Sequence, residues 1–188
     1  MKMVSAAKLK KAQDAIIAMR PYAQKLTELL QNLSSTLEGD TGGEYTAQRP
    51  VRNVLVVAIT SNRGLCGAFN SNVIKEVKRL TESDFAGKKV DVITVGKKGN
   101  DILRKTHHVV NNNNGVFDNL TFDNVSAIAD EVMDMFRKGK YDRIVLVYNQ
   151  FKNAATQLIV TEPFLPLVPA VTQQTAATDY LFEPGKEE

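Results

Sequence analysis

The chain has a single cysteine, Cys66, and two histidines, His107 and His108, in 188 residues. One cysteine excludes an intramolecular disulfide and any multi-cysteine metal cluster, and fits a reducing compartment. The histidines are adjacent, so on a strand they would point to opposite faces and could not share a metal. No apolar run approaches the roughly 20 residues of a membrane span, and no signal-peptide core follows the start. Charge of one sign is also scarce. The net value is +3, too small to argue for nucleic acid. What is present, 43% hydrophobic and 24% charged residues, suits one soluble domain with an appendage and enough chain to bury a core.

The charge is unevenly placed. Residues 1–37 hold six basic side chains (Lys2, Lys8, Lys10, Lys11, Arg20, Lys25) against Asp14 and Glu28, giving +4 and leaving −1 for the remainder. The same segment carries Leu9, Ala12, Ile16, Met19, Ala23, Leu26, Leu30, Leu33 and Leu37 in alternating steps of three and four. That is an unbroken heptad seam, the pattern of a left-handed coiled coil. Pro21 is an interior helix breaker, but it lies off the seam, whose phase continues across it. The spacing therefore predicts one helix, kinked at most, about 55 Å long. A seam of this kind needs a second helix, and no later segment supplies it. Unpaired, it is expected to self-associate between copies.

Gly39, Gly42 and Gly43 break the helix. An α/β pattern follows: a strand over Val51–Thr60, a turn over Ser61–Gly67, and a helix over Ala68–Leu80. Next come a strand over Lys89–Val95, a short helix over Asn100–Lys105 and a strand over His108–Val110, closed by an asparagine turn over Asn111–Gly115. A helix over Thr121–Lys138 is expected to face the core with Phe122, Val125, Ala129, Val132 and Phe136, and to stop at Gly139. Asp142–Tyr148 is the strongest strand, and Asn149–Asn153 turns it into a hairpin with Thr156–Thr161. Pro163, Pro166 and Pro169 then disfavour central pairing. The order implies a mostly parallel sheet between helices, ending in one antiparallel strand.

The strand–turn–helix around Arg63–Gly67 is where such folds hold ligands, and an anion could sit at the helix start. It lacks both G-x-G-x-x-G and the P-loop Lys-Ser/Thr, so a structural turn is the simpler reading. An independent nucleotide- or phosphate-binding protein remains the alternative. Cys66 reads as a buried small hydrophobe, because no base is placed beside it. Asp130, Glu131 and Asp134 read as the solvated face of a helix. Asp84 and Asp91 form no recognisable catalytic pair.

Three segments together resemble one family. Met1–Gln13 (MKMVSAAKLKKAQ) with Arg20-Pro21-Tyr22-Ala23 resembles the N-terminal coiled-coil helix of ATP synthase gamma subunits of bacterial type. Ser61-Asn62-Arg63-Gly64-Leu65-Cys66-Gly67 is similar to their S-[DN]-R-G-L-C-G stretch, and Tyr180-Leu181-Phe182-Glu183-Pro184 to their Y-x-[FY]-E-P segment. The resemblance implies an α/β, Rossmann-like foot domain with a mostly parallel sheet flanked by helices, and a long N-terminal coiled-coil helix. It divides the chain into a shaft helix (1–38), a linker (39–50), the foot (51–178) and a tail (179–188). It also implies that the chain begins inside the first helix and stops where the C-terminal helix would start.

By the same resemblance the protein is no enzyme but a rotor subunit with no cofactor, metal or catalytic residue. It would partner the alpha and beta subunits, the epsilon subunit and the membrane c-ring, and no nucleic acid. It would lie peripherally on the cytoplasmic face of the bacterial inner membrane. Met1, Lys2, Lys8, Lys10 and Lys11 match shaft positions near the lever region of the beta subunits. Tyr180 and Glu183 match foot positions near the ring and epsilon.

Overall fold

A computed structural model describes residues 2–36, 43–153 and 155–167, with side chains for all of these except Lys2 and residues 31–36. The chain opens with α1 (Lys2–Thr36), then β1 (Asn53–Ile59), α2 (Phe69–Glu82), β2 (Lys89–Val95), α3 (Lys97–Leu103) and β3 (His108–Asn112). A 3-10 turn (Asn114–Phe117) leads into α4 (Phe122–Arg137), and the hairpin β4 (Arg143–Asn153) and β5 (Thr156–Leu165) follows. The sheet runs in the order β3-β2-β1-β4-β5. β1 to β4 are parallel and β5 is antiparallel to β4.

The continuous apolar run in β1 is explained by its central place, with both faces covered. Val54, Val56 and Ala58 turn to α2 and α3, meeting Val73, Val77, Leu80 and Leu103. Leu55 and Val57 turn to α4, meeting Val132 and Phe136. This alternation makes two cores from one strand. α4 is well terminated: Thr121 Oγ1 accepts from Asn124 N–H at 3.3 Å, Asp123 sits in the first turn and Arg137 in the last, each complementing the helix dipole. Gly139, at φ +70°, takes the chain out of the helix in the left-handed conformation glycine tolerates. Among the described residues no helix is long and apolar enough to cross a membrane.

α1 passes through Pro21 without a break. Pro21 therefore removes one helical hydrogen bond but does not end the element. Several other elements differ from expectation. Asn111 and Asn112 extend β3 rather than forming a turn; Asn112 Oδ1 accepts from Thr94 Oγ1 at 3.1 Å, which satisfies the amide inside the sheet. The hairpin reverses at Asn153, four residues beyond Asn149, where the start of that turn was expected. Its Oδ1 accepts the N–H groups of Ala155 and Thr156, an Asx arrangement that closes a tight turn. β5 runs through Pro163 to Leu165 because it is an edge strand, and a register shift between Ile144 and Val145 accommodates it. Phe122 and Val125 do not reach the core. Phe122 is 84% exposed, since the first turn of α4 overhangs the sheet.

Candidate functional site

The C-terminal edge of the sheet carries the segment singled out by sequence. β1 and β4 are neighbours from which the strand order departs in opposite directions, the place where α/β sheets open a crevice. The loop from Thr60 to Ala68 rises there. Its base is fixed by two asparagines. Asn70 Oδ1 accepts from Ser61 N–H at 2.9 Å, and its Nδ2 donates to the Arg63 carbonyl at 3.1 Å. Asn62 Nδ2 donates to the Asn114 carbonyl at 2.8 Å, and its Oδ1 accepts from Lys97 N–H at 2.9 Å. Beneath the loop, Gly96 at φ +110° crosses Thr60 so closely that a Cβ would lie 2.2 Å from the Thr60 carbonyl oxygen.

The tip stands free of this frame. Leu65 takes φ +58° and is fully exposed, and Gly67 also has positive φ. Cys66 is exposed, which corrects its reading as a buried hydrophobe. The tip projects outward, so its thiol finds only the Arg63 carbonyl and the Asn70 amide. No imidazole is near. His108 lies at the opposite end of the sheet, where β3 begins, with Nδ1 2.9 Å from Asp91 Oδ1. Among the described residues no three His, Cys, Asp or Glu side chains gather at one point.

Asp91 was passed over in the sequence. Its carboxylate is almost wholly buried and accepts from Tyr141 Oη at 2.8 Å as well as facing His108. Burial, then the bond to Asp91, pushes the Tyr141 phenol well above its ordinary pKa. Only the register of β2 against β3 brings these groups together, and no spacing in the sequence signals it. Asp130 is solvated, as its helix pattern implied. Glu131 is not simply solvated: both its oxygens accept from Asn111 Nδ2 at 2.9 Å. Asp134 is held below the usual carboxylate range by hydrogen bonds from Lys138 and Arg137.

The second candidate surface is α1. Its seam residues Leu9, Ile16, Met19, Leu26 and Leu30 are all exposed, Met19 at 61%. Lys8, Lys10 and Lys11 are exposed on the same helix. Lys2 opens it, though its side chain falls outside the described residues, as do Met1, Tyr180 and Glu183. α1 touches the foot along the hairpin: Arg20 Nη2 donates to the Phe151 carbonyl at 2.6 Å. Ile16, Met19 and Ala23 lie beside Tyr148 and Gln150. Tyr148 donates to Glu162 Oε2 at 2.7 Å; burial, then this bond, pushes its phenol up to about 12.

A family model described as ATP synthase matches residues 1–188. The chain is 68% identical over 189 residues to the ATP synthase gamma chain of Flavobacterium johnsoniae, across all of this chain. The chain belongs to the ATP synthase gamma family. It spans 66% of that relative's length. It is also 44% identical to the ATP synthase gamma chain of Cytophaga hutchinsonii, of which it covers 67%. Among solved structures it resembles a chain of the Tetrahymena thermophila mitochondrial ATP synthase central stalk and c-ring. There the TM-score is 0.65 and the identity 30%, covering 88% of this chain and 70% of that one. The three sequence segments that carried the resemblance thus lie inside a match that runs through the whole chain.

Proposed function

We propose that this chain is the foot and one shaft strand of the central-stalk rotor of an F-type ATP synthase. It would couple ion-driven rotation of the membrane ring, by protons or sodium, to conformational change in the catalytic beta subunits. The observation that carries this reading is the exposed seam of α1. The two cores of the α/β domain close without it, so an apolar heptad face about 50 Å long is left for another helix. A C-terminal helix beyond this chain would complete an antiparallel pair. The division into shaft (1–38), linker (39–50), foot (51–178) and tail (179–188) belongs to the same proposal.

In this reading the chain performs no chemistry itself. A stiff, asymmetric shaft presents different faces to each beta subunit, and only such differential contacts can shift their affinities for nucleotide. Lys8, Lys10 and Lys11, with Met1 and Lys2, would meet the alpha and beta subunits. Tyr180 and Glu183 would meet the epsilon subunit and the c-ring at the cytoplasmic face of the bacterial inner membrane. The test is to extend the chain to the length of its relatives and assemble it with alpha and beta subunits. ATP hydrolysis should rise on assembly, and fall again when Lys8, Lys10 and Lys11 become glutamine. A folded full-length chain that binds the ring without stimulating hydrolysis would refute the proposal.

A further inference from the structure

The crevice between β1 and β4 is lined in a way that the stalk reading does not use. Its mouth, about 430 Å³, lies between the Ser61–Arg63 loop base, Phe69, Phe117 and Asn149. Behind Phe117 and Ile59, which border both spaces, a second, half-open chamber of about 270 Å³ runs between the sheet and α4. Val57 and Leu146 floor it, and Val125, Ile128 and Ala129 roof it. The chamber exists because the first turns of α4 overhang rather than press on the sheet. It exceeds the roughly 150 Å³ apolar cavity that accommodates benzene.

The mouth is polar where the chamber is not. Arg63 has no ion-pair partner among the described residues, and Lys98 reaches over Gly64 beside it, its Cε 3.6 Å from where a Gly64 Cβ would stand. Asn149 donates through Nδ2 to the Phe69 carbonyl at 2.8 Å, while its Oδ1 is buried without a partner. An unpaired cation asks for an anion, and a buried unpaired acceptor asks for one N–H or O–H. We propose that this crevice binds an amphipathic carboxylate: an apolar chain in the chamber, one amide or hydroxyl donor at Asn149, and the carboxylate at Arg63. An N-acyl amino acid has these three parts in that order. Charge complementarity selects this occupant over a neutral or cationic one.

Calorimetric titration of the 188-residue chain with N-octanoylglycine tests the site, with octanol and octyltrimethylammonium as comparisons. One saturable equivalent of N-octanoylglycine should bind. Arg63→Gln, at an exposed loop position that cannot unfold the domain, should weaken it about tenfold, one charge-assisted bond's worth, and leave octanol unchanged. Ala129→Phe, which fills the chamber, should abolish both, with the thermal midpoint reporting that the variant is folded. The cation should not bind. Absence of saturable binding, indifference to Arg63→Gln, or binding only to phosphatidylglycerol vesicles would each overturn the proposal.

Discussion

Replacing Thr60 by valine keeps the shape of the side chain and removes a hydroxyl that joins the end of β1 to the start of α3. Thr60 is 2% exposed. Its Oγ1 accepts from Gly99 N–H at 2.9 Å and lies 3.4 Å from the Gly96 carbonyl, to which it donates. Gly99 is itself buried, so valine leaves an N–H without a partner and out of reach of water. An orphaned buried donor costs about 1–3 kcal/mol. With a urea m-value of about 2 kcal/mol/M for a domain of this size, the unfolding midpoint should fall by about 1 M with the slope unchanged. Thr60→Ser keeps the hydroxyl and loses one buried methyl, worth about 1 kcal/mol. The bond therefore ranks the variants wild type, serine, valine. Strand propensity and apolar burial alone rank valine first. Urea unfolding followed by circular dichroism separates the two orders. A valine variant as stable as wild type, with serine below it, would refute the reasoning.

Gly96→Ala should cost more than about 3 kcal/mol, because the new Cβ would strike the Thr60 backbone at a φ that alanine avoids; the same urea experiment measures it. Burial raises the Asp142 carboxyl, but the N–H groups of Asn53 and Arg52, with the charges of Arg49 and Arg52, outweigh this and hold it low. A depressed carboxylate stabilises the fold above its unfolded pKa of about 3.9 and loses that contribution as pH falls through the folded value. The stability gap between wild type and Asp142→Ala should thus be full at about pH 6 and shrink below about pH 4; a constant gap contradicts it. The seam of α1 should make the chain associate as concentration rises, and Leu26→Asp should leave it monomeric by light scattering without moving the foot's melting temperature. Deleting residues 1–36 should speed hydrogen exchange in the outer half of the β4–β5 hairpin and leave β1 and β2 unchanged. Equal protection of the hairpin and β1 in the shortened chain would argue against α1 supporting it.

The parts of the molecule legible in the sequence are those whose signal is local and repeated. The alternating three and four spacing placed α1, and the β-branched run Val54–Ile59 placed a central strand. Misreadings arose where tertiary placement decides. Phe122 has the right helical phase to face the core, yet its turn lies beyond the sheet. Cys66 has the composition of a core residue, yet it sits on a loop tip set outward by Leu65 and Gly67. Pro163 reads as a strand breaker until β5 is known to be an edge. The Asp91, Tyr141 and His108 network joins residues 17 and 50 positions apart, a distance no periodicity spans.

The attachment of α1 follows from how the sheet ends. β1 pairs with β4 only over Val54–Ala58 against Arg143–Val147. Past Val147, β4 continues with β5 as its sole partner in the sheet, so the outer hairpin is a two-stranded ribbon, which is marginal by itself in water. α1 lies on that ribbon through Arg20 and a few small or flexible apolar side chains. The dense cores around β1 are not involved. The contact is therefore the most compliant joint in the described structure, between two stiff bodies. If the chain serves as foot and shaft, torque passing directly between them crosses this ribbon, and the Arg20 bond at its outer end resists that load with the longest lever. A shaft paired along its seam would stiffen the joint without a new contact to the foot, because it would hold α1 straight over the ribbon.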